Sequence, residues 1–220
     1  MFPISDVIPS RTVPFVTVGL IIANALVFLY MITLPDAMLE RFVATYAVVP
    51  AWFSVPTLFT SQFLHAGWMH IIGNMLYLWI FGDNVEDRLG HFRYLLFYLG
   101  AGALAAILQV LFNPFSAVPM LGASGAIAGV MGAYFVLYPQ SRVLTAVFII
   151  IFFDVIEIPA VFFLGIWFLM QLLSGVGSLG VTNAASGGTA FWAHVGGFVA
   201  GVIVGLLLRA RDRRWRYQVD

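Results

Sequence analysis

Three short polar motifs interrupt an otherwise apolar chain. They are His65-Ala-Gly-Trp-Met-His70-Ile-Ile-Gly-Asn74, Gly122-Ala-Ser124-Gly125 and Ala193-His194-Val-Gly-Gly197. A hydroxyl, imidazoles and a carboxamide are the parts of an acyl-transfer site. Ser124 can act as nucleophile, with His194 as the base that takes its proton. His70 and Asn74 stand four residues apart, so they share one face of a helix. Both can donate hydrogen bonds to a developing oxyanion. The backbone N–H of Ser124, unpaired at a helix start and favoured by the helix dipole, can join them. Losing one such donor typically costs about 10²–10³ in rate.

Each residue taken singly has a plainer explanation. A serine among glycines can be a helix N-cap or part of a small-residue packing stripe. Asn74 alone can be interhelical glue, His194 a structural hydrogen-bonder and His65 a loop cap. Gly125 and Gly129, and again Gly197, Gly201 and Gly205, recur at a spacing of four, which suits close helix packing. The case for chemistry rests on the joint occurrence of these residues.

The elements that carry them follow from composition. Of 220 residues, 62% are hydrophobic and 9% charged, and the mean hydropathy is +1.00. Soluble domains carry about 25% charged residues. A water-soluble globule, a disordered chain and a basic nucleic-acid binder are therefore excluded. The formal net charge is zero and there is no cysteine, so disulfides, thiol nucleophiles and cysteine-bound metals are excluded as well. The solvent such a chain requires is a lipid bilayer.

The charged positions divide the chain into uncharged gaps, and a spanning helix needs roughly 20 apolar residues. The gaps 12–35, 42–82, 94–141 and 158–208 hold one, one, two and two such stretches. The expectation is an all-α, six-span bundle with helices at about 13–34, 66–86, 93–112, 123–138, 155–176 and 190–209. The run Val143 to Phe153 is too short to span and is expected to lie at an interface or to extend the fifth helix. Residues 1–12 read as a short tail and 210–220 as an arginine-rich, lipid-anchoring tail. All ten basic residues are arginine. Six spans would put Arg11, Arg88, Arg93, Arg142, Arg209, Arg211, Arg213, Arg214 and Arg216 on one side and only Arg41 on the other. The positive-inside rule then places both termini in the cytoplasm. The second, fourth and sixth helices would all start at the outer face. His65, His70, Asn74, Ser124 and His194 would thus share one depth just below it.

At that depth no carboxylate is available. Asp36 and Glu40 lie in the first outer loop, away from any motif, and Asp83, Glu86, Asp87, Asp154 and Glu157 fall on the cytoplasmic side. The reading is a Ser–His dyad. Zinc is a rival, but the usual carboxylate or H-E-x-x-H spacing is missing, so no metal and no cofactor are expected. His91, in the charged turn Asp87-Arg-Leu-Gly-His91, is expected to be solvated.

Together the three motifs resemble those of the rhomboid intramembrane serine proteases, over about residues 13 to 209. Glu86-Asp-Arg88-Leu-Gly90 also looks like that family's turn after the second helix. The resemblance implies a six-helix core in a bacterial cytoplasmic membrane that cleaves transmembrane segments of other proteins near the outer face. It implies Ser124 and His194 as the dyad. His70, Asn74 and the Ser124 amide would form the oxyanion hole, and His65 would brace the first loop. Gly122, Gly125, Gly197 and Gly201 would support the site. The partners implied are membrane-protein substrates and the bilayer, with no nucleic acid. An alternative is a catalytically silent relative that binds membrane clients. A small transporter is disfavoured, because mid-membrane charges and repeat symmetry are both lacking.

Two positions depart from the family pattern. Some members carry an aromatic four residues after the serine, where this chain has Ala128. Phe191, Trp192 and Tyr134 are the candidates to support His194 instead. Some members also have a Trp-Arg pair in the first loop, where this chain has Ala51-Trp52-Phe53. A substrate helix hides its peptide bonds in i→i−4 hydrogen bonds. It must unwind before attack, which predicts a preference for helix-weakening residues.

Overall fold

The computed structural model describes residues 2–149, 152–178 and 190–216. Six long helices carry the chain: α1 (Phe15–Met31), α4 (Trp68–Leu89), α5 (His91–Phe112), α6 (Ser124–Leu137), α7 (Ala160–Ser178) and α8 (Phe191–Arg216). Between α1 and α4 lie α2 (Asp36–Tyr46), the single-turn α3 (Thr57–Thr60) and two 3-10 turns. Helices α5, α7 and α8 are long and apolar enough to cross a membrane, and α1 and α6 are shorter apolar helices.

Helix α6 is the hub. Its sequence, SGAIAGVMGAYFVL, is apolar all round, and every residue from Gly125 to Val136 except Phe135 is buried. A helix with no polar face is enclosed by neighbours. Its closest neighbour is α8, and glycines set that distance. A Cβ added at Gly197 would lie 2.0 Å from the carbonyl oxygen of Gly125, and one at Gly201 would lie 1.8 Å from that of Gly129. The two backbones touch, as small residues spaced by four allow. Ala128 belongs to the same seam, with its Cβ 3.3 Å from where a side chain at Gly197 would begin.

The turn after α4 ties down the start of the chain. Gly90, at φ +78°, ends α4 in a conformation that favours glycine. Glu86, fully buried, accepts hydrogen bonds from the N–H groups of Val16 (2.9 Å) and Thr17 (2.8 Å) and from the Thr17 hydroxyl (2.7 Å). A carboxylate at the N-terminus of α1 satisfies orphan amides and complements the dipole. His91, expected to be solvated, instead reaches Glu86 with Nδ1 at 2.6 Å, though its side chain stays half-exposed.

The all-α expectation is corrected. Strands β1 (Phe2–Asp6), β2 (Arg142–Ile149) and β3 (Phe152–Pro159) form an antiparallel sheet in the order β1-β2-β3. Val143 to Phe153, read as an interfacial segment or an extension of the fifth helix, forms the arms of a β-hairpin, with residues 150 and 151 outside the described residues. Residues 155–159, assigned to the fifth helix, belong to β3, and that helix starts at Ala160. The reason is local. Val143, Thr145, Val147, Val155, Ile156 and Ile158 are β-branched residues suited to a pleated surface. The 1–12 tail supplies β1, whose register shifts between Pro3 and Ser5. The last helix continues to Arg216, into the stretch read as a tail. Residues 179–189, within the expected interruption Ser174 to Thr189, and the tail beyond 216 lie outside the described residues.

Candidate active site

Ser124 is the first residue of α6, and His194 sits in the first turn of α8. The glycine seam that brings these helices together also brings the two side chains together. His194 Nε2 lies 2.8 Å from Ser124 Oγ, within hydrogen-bond reach for a nucleophile and its base. His194 is buried, whereas Ser124 is partly open. As the first residue of α6, Ser124 has a backbone N–H without an intrahelical partner.

His70 and Asn74 occupy the first two turns of α4. Gly122, at φ +127°, lets the chain turn into α6 directly against them. A Cβ at Gly122 would lie 2.8 Å from His70 Cε1 and Nε2, and 3.7 Å from Asn74 Nδ2. The Gly122 N–H donates to the carbonyl of Ser61 at 2.9 Å, fixing the loop. His65 precedes α4 in a buried position. Its Nε2 is 2.9 Å from Asn74 Nδ2, and its ring meets His70 edge-on at 5.1 Å. His65 therefore touches the face that carries His70 and Asn74.

Beside them lies an open cavity of about 1380 Å³. Ser124, His194, His70 and Asn74 all face it, with Gln109 and Trp167 among the other walls. Gln109 Oε1 accepts from the Ala193 N–H at 3.2 Å, steadying the start of α8. Among the described residues, no three His, Asp or Glu side chains are grouped as metal ligands. The arrangement holds a hydroxyl, an imidazole in contact with it and neighbouring hydrogen-bond donors, the parts that acyl transfer requires.

Of the three candidates to support His194, Trp192 and Tyr134 are corrected. Trp192 stacks on Phe112 instead, with centroids 3.8 Å apart. Tyr134 lies at the opposite end of α6. Its hydroxyl reaches Asp6 Oδ2 at 2.5 Å and Ser141 Oγ at 2.8 Å. There the Asp6 carboxyl is pushed up to about 6 by burial and by the neighbouring Asp83. The groups that meet the imidazole come from α7. Trp167 lies with its centroid 5.7 Å from the ring, tilted by 35°, and Gln171 Oε1 lies 2.8 Å from Nδ1. Sequence reasoning missed both. The available signal was an intramembrane glutamine four residues after a tryptophan, in a run with no other strongly polar group.

Comparison with known sequences finds relatives of this chain. The sequence profile described as "Rhomboid domain" matches residues 52–211. The chain is 45% identical over 76 residues to rhomboid protease GluP of Bacillus subtilis (strain 168), covering 34% of this chain and 14% of that protein. It is 32% identical over 165 residues to rhomboid-like protein 11, chloroplastic, of Arabidopsis thaliana, covering 72% and 53%. It is 29% identical over 154 residues to rhomboid protein 1, mitochondrial, of Saccharomyces cerevisiae, covering 66% and 39%. The chain thus spans from about one seventh to about half the length of these relatives.

Proposed function

The chain belongs to the rhomboid family, and from that premise we propose that it is an intramembrane serine endopeptidase working through a Ser124–His194 dyad. The observation that carries the proposal is the 2.8 Å contact between Ser124 Oγ and His194 Nε2 on the wall of an open cavity. Ser124 attacks the scissile carbonyl while Nε2 takes its proton. The oxyanion forms among the Ser124 N–H, His70 and Asn74. The proton then passes to the leaving amine, and water repeats the cycle on the acyl-enzyme.

In this reading six helices cross the bilayer and both termini are cytoplasmic, as the arginine asymmetry requires. The length of α6 fits. Its 14 residues extend about 21 Å against a hydrocarbon core of about 30 Å, so Ser124 lies below the outer surface. The cavity gives water a route to it. The substrates are transmembrane segments of other proteins, and the proposed location is a bacterial cytoplasmic membrane.

The test is cleavage of purified single-span reporters in liposomes. A reporter with glycine near the outer end of its span should be cut there, and an all-leucine span far more slowly. Ser124→Ala should cut neither. Binding of reporters without cleavage by the wild-type protein would overturn the proposal in favour of a silent client-binding relative.

A further inference from the structure

Both nitrogens of the His194 ring are engaged. Nε2 faces Ser124 Oγ and Nδ1 faces Gln171 Oε1, each at 2.8 Å. We propose that Gln171 is the positioning residue of the dyad: a neutral acceptor that holds His194 as the Nδ1–H tautomer, so that Nε2 is free to take the serine proton. The inference rests on the protease reading and deepens it.

A neutral imidazole carries one N–H and one lone pair. Nε2 can act as a base toward Ser124 only when the proton is on Nδ1. Left unpaired in a buried site, that N–H would be costly, and the opposite tautomer would compete. Gln171 turns a carbonyl oxygen to it and removes the competition. Soluble serine hydrolases use a carboxylate for this task. Helix α7 contains no Asp or Glu, and an ionised carboxylate inside a membrane is expensive. An amide gives the same directional acceptor without a charge. Trp167 stands four residues before Gln171, so both occupy one face of α7. One packs tilted against the imidazole and the other meets its edge at Nδ1. Among the described residues, the groups that meet the ring are Ser124 on α6, Trp167 and Gln171 on α7 and, at longer range, His70 on α4.

The proton count closes. As the bond from Ser124 Oγ to the substrate carbonyl carbon forms, the hydroxyl proton moves to Nε2. The imidazolium then carries both protons, with Nδ1–H still donated to Gln171. When the C–N bond breaks, the Nε2 proton goes to the leaving nitrogen and the starting tautomer returns.

The test uses the full chain in liposomes with the glycine-containing reporter. Gln171→Leu should lower kcat about 10- to 100-fold with little change in KM. Gln171→Glu should recover much of kcat, because an acceptor is restored. Its carboxylate would favour the imidazolium, so the acid limb of the pH–rate profile should move to higher pH. In ¹⁵N-histidine NMR spectra, neutral His194 should be protonated on Nδ1 in the wild type and mixed in Gln171→Leu. Wild-type kcat and pH profile in a folded Gln171→Leu protein would overturn the inference. Should that variant fail to fold, a wild-type His194 protonated on Nε2 would overturn it instead. Cleavage by Ser124→Ala is the separate result that would remove the Ser124–His194 dyad itself.

Discussion

His70 and Asn74 reach the site from one helix face with different obligations. Asn74 has two amide protons, and one engagement goes to His65 Nε2 at 2.9 Å. The other proton remains for a developing oxyanion. His70 is held against Gly122, beside the turn into Ser124. If both are oxyanion donors, His70→Ala and Asn74→Ala should each lower kcat about 10²–10³-fold, with KM nearly unchanged. A selective rise in KM would instead make them substrate-binding groups. At this scale the candidate dyad was legible, because polar side chains in an apolar chain each require a reason. Gln171 was not. Nothing in a lone glutamine names its partner, and only folding brings α7 against His194. The same gap explains Tyr134. Its position four residues before Tyr138 hints at a helix face but not at Asp6, which is 128 residues away.

The helices were readable because backbone burial in lipid demands long apolar runs, and the six runs match the six long helices to within a few residues at most ends. The sheet was not readable. Its strands are apolar enough to resemble a helix extension, and their pairing partner β1 comes from the far end of the chain. Two predictions belong to this scale. Gly201→Ala would put a methyl carbon 1.8 Å from the Gly129 oxygen, so α6 and α8 must separate. We expect a loss of a few kcal/mol in stability and, because Ser124 and His194 sit on those helices, a loss of cleavage. An unchanged Tm and activity would mean that the seam is not close-packed. The second concerns the dock of β1 on α6. The Asp6 carboxyl titrates near 6 when folded against an ordinary 3.8. The folded state therefore binds more protons between those values, and stability falls as pH rises from about 4 to about 6. Asp6→Asn should remove that slope and be more stable at pH 7 by on the order of 1 kcal/mol, discounted for solvent screening. Thermal unfolding in detergent at pH 4.5 and 7 reads both. An identical slope in the variant would mean that Asp6 is not the group responsible.

At the level of the whole molecule, charge, orientation and chemistry are one argument. Under the proposed function, the arginine asymmetry orients the bundle, and that orientation puts the cavity toward the outer face. The chain contains no cysteine, so single cysteines can report sidedness. Phe115, 93% exposed between α5 and α6, and Val7, 46% exposed just after β1, mark opposite faces. In intact cells a membrane-impermeant maleimide should label Phe115→Cys but label Val7→Cys only after permeabilisation. The reverse pattern would invert the bundle and move the site to the cytoplasmic side. The most direct measurement of the central claim is labelling by a serine-reactive fluorophosphonate, with the adduct mapped by mass spectrometry. A Ser124–His194 dyad predicts an adduct on Ser124 alone, none in Ser124→Ala, and labelling at least about 10³-fold slower in His194→Ala. An adduct on another residue, or undiminished labelling of Ser124→Ala, would contradict it.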